Sequence, residues 1–201
     1  MIIFINQFIY QPIYLFKKTN FKRTVSLVFM ILAFLVGGFC AGILFKNIEN
    51  RMGTDGDSKK TEEVYKLVAN AQKQLDEFKK AGVDITKSED PEIKEYVELI
   101  ESVPPRWKVD YAGKLGIALA VLSLIMVVVA FMKKELVTKL SVLVAVLSVV
   151  LWAITPYIKE GMFSGANPKS IALIACIGLV VCSACAFMSY KLYLKKSQVT
   201  A

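Results

Sequence analysis

The motif with the most obvious chemistry in this chain is a CxxC formed by Cys182 and Cys185. Two thiols at this spacing can exchange between a dithiol and a disulfide, provided that an electropositive and partly exposed setting keeps one of them as a thiolate. The other two cysteines, Cys40 and Cys176, also lie in apolar stretches. Because the polar segment 46–113 holds no cysteine, we predict no disulfide framework.

Carboxylates form a second candidate site at Glu89, Asp90, Glu92, Glu95 and Glu98. Such a cluster could bind calcium weakly, but a charged and solvated helix face explains it better. The chain has no histidine, which excludes imidazole ligands and histidine acid–base chemistry. It also has no phosphate loop, dinucleotide fingerprint or nucleophile elbow. We therefore predict no catalytic residue, no metal and no cofactor, and we favour a non-catalytic protein over an enzyme.

Four apolar runs, residues 25–45, 115–132, 136–157 and 171–190, dominate the chain, and none contains a carboxylate or an arginine. At ~1.5 Å per residue, a helix of such length crosses a hydrocarbon core of ~30 Å with its backbone polar groups satisfied. We predict an all-α membrane protein with four transmembrane helices and an extracytoplasmic helical hairpin between the first and second spans. The predicted division is segment 1–24, first helix 25–45, hairpin loop 46–113, three-helix region 114–190 and tail 191–201.

The layout of four spans, a long first loop and a CxxC in the last span resembles that of the vitamin K epoxide reductase family of quinone-linked thiol oxidants. The resemblance covers this layout and the motif alone. It implies an active cysteine pair near the outer end of the last span and shuttle cysteines in the first outer loop. Here the pair lies twelve and fifteen positions beyond Ser170, and the loop has no cysteine. We therefore interpret Cys182 and Cys185 as small packing residues.

Positive charge is concentrated at three places that four crossings would bring to the same side of the membrane. The net charge is +8, yet segment 46–110 has 12 basic and 15 acidic residues. By the positive-inside rule we predict a protein of the bacterial inner membrane with both termini cytoplasmic, in contact with membrane lipids and not with nucleic acid. The clusters are Lys17, Lys18, Lys22 and Arg23; Lys133, Lys134 and Lys139; and Lys191, Lys195 and Lys196.

The first span is predicted to be an uncleaved signal anchor. The stretch 1–16 before it is rich in Ile, Phe and Tyr, and we expect it to lie in the cytoplasmic interface, broken at Pro12, with the lysines facing lipid headgroups. A disordered tail, or one that packs on a neighbouring subunit, is the alternative.

The loop is predicted to form two helices after a turn-rich linker at 53–58. The first helix should run from about Thr61 to Ala81, with Gly82 as its left-handed cap. The second should begin with Asp90 as N-cap and end before the prolines at 104 and 105, and its apolar stripe should help to bury that of the first helix. The stripe of the first helix is a possible partner surface and consists of Val64, Leu67, Val68, Ala71, Leu75 and Phe78. Trp107 and Tyr111 should anchor the second span at the interface.

Small residues at intervals of three or four mark the faces on which the spans could pack. Close packing at such faces supplies much of helix association in lipid. The contact could be with another span of the same bundle or with another subunit. The positions are Ala33, Gly37, Gly38, Ala41 and Gly42 in the first span; Ala112, Gly116 and Ala120 in the second; Ser141, Ala145 and Ser148 in the third; and Gly178 and Cys182 in the fourth.

Two classes of function are compatible with these features. The favoured class is a non-catalytic membrane subunit or an assembly factor of a larger complex, which would bind other membrane subunits or a second copy of itself. The alternative is a small transporter, a channel or a lipid- or quinone-handling protein. Its substrate would be neutral or apolar, because the spans offer almost no counter-charge. The spans are not conspicuously interrupted and show no internal repeat, which disfavours a secondary transporter.

Overall fold

The computed structural model describes residues 11–54, 57–85, 89–132, 135–158 and 166–199, and these residues form six α-helices and no strand. The stretch 1–10 and the predicted basic residues Lys133 and Lys134 lie outside the described ranges. The helices are α1 (Gln11–Arg51), α2 (Ser58–Lys80), α3 (Pro91–Ser102), α4 (Arg106–Phe131), α5 (Leu136–Ile154) and α6 (Pro168–Val199).

Four of these helices, α1, α4, α5 and α6, are long and apolar enough to cross a membrane. Large apolar side chains cover their outer faces as well as their contacts with one another, and Phe29, Val146 and Ile177 are all more than half exposed. A helix that is apolar on every side is typical of a membrane span, where lipid replaces water. The length and composition of these helices thus confirm the prediction of an all-α, multi-pass membrane protein with four candidate spans.

The four long helices form an antiparallel bundle, in which α1 packs most extensively against α6 and next against α4. The start of α1 lies beside the end of α6, since the Ser26 hydroxyl donates to the carbonyl oxygen of Cys185 at 2.7 Å and Arg23 lies 5.5 Å from the ring centroid of Tyr193. We call this the basic end of the bundle. The opposite end, where α1 stops and α4 begins, is the hairpin end.

The interior of the bundle is built from apolar side chains of all four long helices. Because both the interior and the surface are apolar, the distribution of hydrophobicity does not distinguish them, and the shapes of the side chains decide the packing. Fully buried residues include Met30, Leu44, Leu119, Met126, Val144, Leu151 and Leu179.

Helix α1 is much longer than the predicted first span, 25–45. Its 41 residues extend over ~62 Å, about twice the thickness of a hydrocarbon core. The predicted break at Pro12 concerns the stretch 1–16, and residues 1–10 of that stretch lie outside the described ranges; Pro12 itself is the second residue of α1. It lies in the first turn, where a helix has no intrahelical acceptor for the missing N–H. Residues 11–24 therefore continue the first span as an uninterrupted helix.

Glycine and aspartate set the ends of the polar helices. Gly53 follows α1 and Gly82 follows α2, with φ angles of 72° and 83° in the left-handed region that glycine enters most easily. Asp57 caps α2 and Asp90 caps α3, each through a carboxylate that accepts a backbone N–H two residues later. The predicted ends at Gly82 and Asp90 are confirmed, whereas α2 begins about one turn earlier than predicted because Asp57 is its N-cap.

Helix α5 ends at Ile154, so Pro156 follows the third span and does not kink it. The helix therefore ends three residues before the apolar run 136–157 does. The Thr155 hydroxyl donates to the carbonyl oxygen of Leu151 at 2.6 Å, which satisfies one of the last helical carbonyls. A proline shortly after a helix end is common because it cannot continue the helix.

Candidate functional site

The hairpin formed by α2 and α3 is attached to the bundle near the start of α2. Val64 and Val68 are half-buried and pack against the cluster of side chains that forms the bundle core. Between them, the Tyr65 hydroxyl donates to the carbonyl oxygen of Pro104 at 3.1 Å, just before α4 begins. This part of the predicted partner surface is therefore used to hold the hairpin on the bundle.

The environment of Tyr65 keeps its hydroxyl protonated. Burial, and to a smaller extent the Asp110 carboxylate, raise the pKa of Tyr65 to about 12, although the nearby Arg106 guanidinium opposes both effects. A tyrosine whose pKa is raised on folding contributes stability below its ordinary pKa of ~10 and loses that contribution as the pH rises toward 12. At neutral pH the phenol is thus a stable donor to Pro104.

Further along, the hairpin has a small core of its own. Ala71 and Leu75 of α2 and Ile93 of α3 are each at most 6% exposed, and none belongs to the cluster that forms the bundle core. Phe78 is half-buried at the far end of α2. A hairpin of only two helices buries little surface, so this part of the molecule depends on a few side chains.

A groove enclosing about 640 Å³ runs between α2 and α3. Leu67 lies on one side of it and is 57% exposed, although the sequence placed this residue in the stripe that faces α3. Helix α3 covers only part of the apolar stripe of α2, and Leu67 lies outside the covered part. The lining consists of Leu67, Asn70, Ala71, Lys73, Gln74, Glu95, Tyr96, Glu98 and Leu99.

The charged side chains along this groove are mainly acidic. The lining contains two carboxylates, Glu95 and Glu98 of α3, and one ammonium group, that of Lys73 on α2. The Tyr96 hydroxyl donates to the Glu92 carboxylate at 3.0 Å, and this hydrogen bond raises the pKa of Tyr96. The arrangement suits a ligand with an apolar face and flanking positive charge. Within the part of the chain that the structure describes, no three potential metal-ligating side chains lie together.

In the bundle, Gly37 of α1 and Gly178 of α6 face each other at backbone contact. A Cβ added to Gly37 would lie 2.7 Å from the Leu179 nitrogen, and one added to Gly178 would lie 2.7 Å from the Gly37 Cα. Ala33, one turn before Gly37, presents its carbonyl oxygen 3.2 Å from that same Gly178 Cβ position. Two small-residue positions from distant parts of the sequence thus form the closest approach of the first and last spans.

A second close approach joins α1 to α4. A Cβ on Gly116 would lie 2.5 Å from the carbonyl oxygen of Ala41, which is itself fully buried. One turn earlier, Gly113 is covered by the ring of Phe45. Sequence reasoning missed Gly113, although the Gly-x-x-Gly spacing with Gly116 could have indicated it. Ala112 is also buried, whereas Ala120 is half-buried.

Gly38 and Gly42, which form a GxxxG pair in the sequence, do not contact another span as closely. The nearest atoms to a Cβ on Gly38 belong to the Phe34 ring of the same helix, at 2.8 Å. Gly42 is exposed, and its added Cβ would meet only the Ala120 Cβ, at 3.8 Å. The close contacts of α1 within the bundle are therefore made by the neighbouring strip, Gly37 and Ala41.

Small hydroxyl and thiol groups fill other buried positions of the spans. Ser148 is fully buried and donates to the carbonyl oxygen of Ala145, a half-buried residue of the same helix. Cys182 is fully buried in the bundle core. Three further buried hydroxyls have no hydrogen-bond partner among the described residues; they belong to Ser141, Ser183 and Ser189.

The predicted interface anchors lie near the start of α4. The rings of Trp107 and Tyr111 are 6.4 Å apart, nearly perpendicular and more than half exposed. They occupy neighbouring turns on one side of the helix, at the hairpin end of the bundle.

The start of α6 is fixed by two residues that sequence reasoning did not select. Asn167 accepts the Lys169 N–H through its side-chain oxygen and donates its amide to the Ile158 carbonyl at 2.7 Å. The Lys169 ammonium donates to three carbonyl oxygens at the end of α5, those of Trp152, Ala153 and Thr155. A cation is favourable at a helix C-terminus, so Lys169 ties α6 to the end of α5.

No protein-family model, no curated protein and no solved structure matches the chain. The function is therefore inferred from the geometry of the spans and the hairpin.

Proposed function

We propose that this chain is a non-catalytic integral membrane subunit or assembly factor, and that its hairpin groove binds a partner protein. The observation that carries the proposal is the exposed, acidic groove between α2 and α3, with Leu67 uncovered at its side. A half-exposed leucine next to carboxylates is typical of a surface that receives an amphipathic helix with basic flanks.

The packing of the spans supports a scaffold in preference to a pathway. Gly37 and Gly178 bring α1 and α6 into backbone contact, and Gly116 brings α4 against Ala41. Contacts this close leave no passage between those helix pairs at these points. The rigid bundle would thus hold the hairpin at a fixed place on the membrane surface.

Photocrosslinking from the groove tests the proposal. With p-benzoylphenylalanine at Leu67, illumination of source-cell membranes should give a product that contains one other protein. The crosslinked peptide should be an apolar helix carrying Lys or Arg. The same probe at Ala69, exposed on the same helix but outside the groove, should give at least tenfold less product. Adding the Glu98→Lys substitution should lower the yield from Leu67 at least fivefold, because it reverses a rim charge.

Three results would contradict the docking role. They are equal yields at both positions, a partner peptide that is acidic, or a product made only from two copies of this chain. The last would replace the proposal with self-association.

Transport of a small neutral solute is the second candidate, favoured by the unpartnered hydroxyls of Ser141, Ser183 and Ser189. Buried polar groups normally have a partner, so these three mark where water or a neutral solute could bind. Solute movement across liposomes that contain only this protein would support transport, particularly if Ser183→Ala slowed it.

We also propose that the hairpin lies outside the cytoplasm and the basic end inside, because Arg23 and Lys191 belong to the same end of the bundle. In a variant without native cysteines, a cysteine at Lys60 should react with an impermeant maleimide in intact cells, and one at Ser197 should react only after lysis. Both positions are exposed, so a failure to react could not be attributed to burial of the cysteine. The reverse pattern would invert the topology.

A further inference from the structure

A second groove, separate from the hairpin, lies between α4 and α5 and encloses about 510 Å³. Its deeper part is lined by Leu115 and Ala118 of α4 and by Val150 and Ile154 of α5. These side chains belong to two membrane-spanning helices and carry no polar atom. The groove is thus an apolar channel on the surface of the bundle that lipid would cover.

The mouth of this groove has a different composition. Trp107, Tyr111 and Lys114 line it on three successive turns of α4. Trp and Tyr are enriched at the depth of lipid headgroups, and a lysine can extend its ammonium toward that depth from a turn below. From Trp107 to Ala118 the groove covers ~16 Å of helix, which is long enough to span the headgroup region and the first part of an acyl chain.

Positive charge at the mouth is not neutralised by the described carboxylates. Lys114 forms no ion pair with them, and neither does Lys108, which does not line the groove but whose ammonium lies 5.6 Å from the ring centroid of Trp107. Asp110 lies one turn before Lys114 on α4 but does not line the groove. An ammonium at headgroup depth that pairs with none of the described carboxylates favours an anionic headgroup.

We propose that the α4–α5 groove binds an anionic glycerophospholipid of the leaflet at the hairpin end. One acyl chain lies on Leu115, Ala118 and Val150, and the phosphate-bearing headgroup pairs with Lys114. The lipid would fill the opening between the second and third spans, a role independent of the partner proposed for the hairpin.

Fluorescence quenching by brominated lipid tests this site directly. The chain has two tryptophans, so a Trp152→Phe variant reports from Trp107 at the groove mouth alone. In phosphatidylcholine vesicles, dibrominated phosphatidylglycerol should quench Trp107 at about fivefold lower mole fraction than dibrominated phosphatidylcholine, the preference expected from one lysine near the headgroups. Lys114→Met should abolish the preference. Lys139→Met, the same change at an exposed residue near the opposite end of the bundle, should preserve it.

The apolar part of the site has its own control. Ala118→Phe should fill the groove floor and remove the preference, whereas Ala184→Phe, at an exposed position of α6, should not. Equal quenching by the two brominated lipids would overturn the proposal, as would equal effects of the Lys114 and Lys139 substitutions. Displacement of brominated phosphatidylglycerol by an uncharged isoprenoid quinone, equally in wild type and Lys114→Met, would assign the groove to a neutral tail instead.

Discussion

Alanine at Gly37 should prevent α1 and α6 from closing on each other, whereas alanine at Gly42 should be harmless. The added Cβ at Gly37 would lie within 3 Å of backbone atoms of Gly178 and Leu179, which cannot rotate away as a side chain can. Overpacking of this kind destabilises the folded state by up to ~3 kcal/mol. The higher helix propensity of alanine offsets about 1 kcal/mol of this loss. We expect the free energy of unfolding in mixed micelles to fall by about 2 kcal/mol.

Gly42 provides the matched control, because its added Cβ would meet only the Ala120 Cβ at an ordinary contact distance of 3.8 Å. Gly42→Ala should therefore leave stability unchanged or slightly improved. Gly178→Ala should behave like Gly37→Ala, and the double variant should lose less than the sum of the two because both changes disturb one contact. Equal stabilities of the Gly37 and Gly42 variants would show that this contact does not hold the bundle together.

Aspartate at Leu75 should unfold the far half of the hairpin while leaving the four spans intact. Leu75 is 6% exposed in a core that Ala71 and Ile93 share. An unpaired carboxylate there adds its desolvation cost to the lost packing, on the order of 3 kcal/mol or more. A two-helix hairpin has little stability to lose. Hydrogen exchange followed by mass spectrometry should show loss of protection in α2 and α3, with unchanged protection in α4, α5 and α6.

Leu67→Asp is the control for this prediction, because Leu67 is already 57% exposed and its replacement removes little packing. Protection of α2 and α3 should stay near the wild-type level in that variant, while partner binding through the groove is lost. If both variants unfolded the hairpin, Leu67 would have a structural role. If neither did, the small core around Leu75 would not determine hairpin stability.

The sequence predicted the number of spans and the hairpin well, because both depend on patterns of residue type along the chain. Run length and the absence of carboxylates and arginine identify α4, α5 and α6, and a cap such as Asp90 marks a helix start through a local hydrogen bond. The apolar run 136–157 extends three residues past the end of α5 at Ile154, because hydrophobicity alone does not locate the end of a helix. Helix α1 extends beyond the predicted span 25–45 at both ends, because lysines do not stop a helix.

The sequence identified small residues that could make close contacts between spans, but it could not show which of them do. Spacing by four selects Gly38 and Gly42 as readily as Gly37 and Ala41, and only the rotation of α1 in the bundle decides which strip makes the close contacts with other spans. Leu67 is a similar case, because periodicity shows which face of α2 is apolar but not how much of that face α3 covers. Lys169 was missed because its acceptors are carbonyls, which every sequence has and no sequence motif displays.

The contact of Gly37 with Gly178 also imposes an order on biosynthesis. Spans enter the membrane as translation delivers them and associate afterwards. The first span, α1, therefore cannot pack against α6 until α6 has been synthesised. The hydrogen bond between Ser26 and Cys185, which are 159 residues apart, has the same requirement. A chain that stops before α6 leaves the Gly37 backbone open to lipid. The Gly37 face of α1 is therefore packed against α6 in a full-length chain and exposed to lipid in a chain truncated before α6.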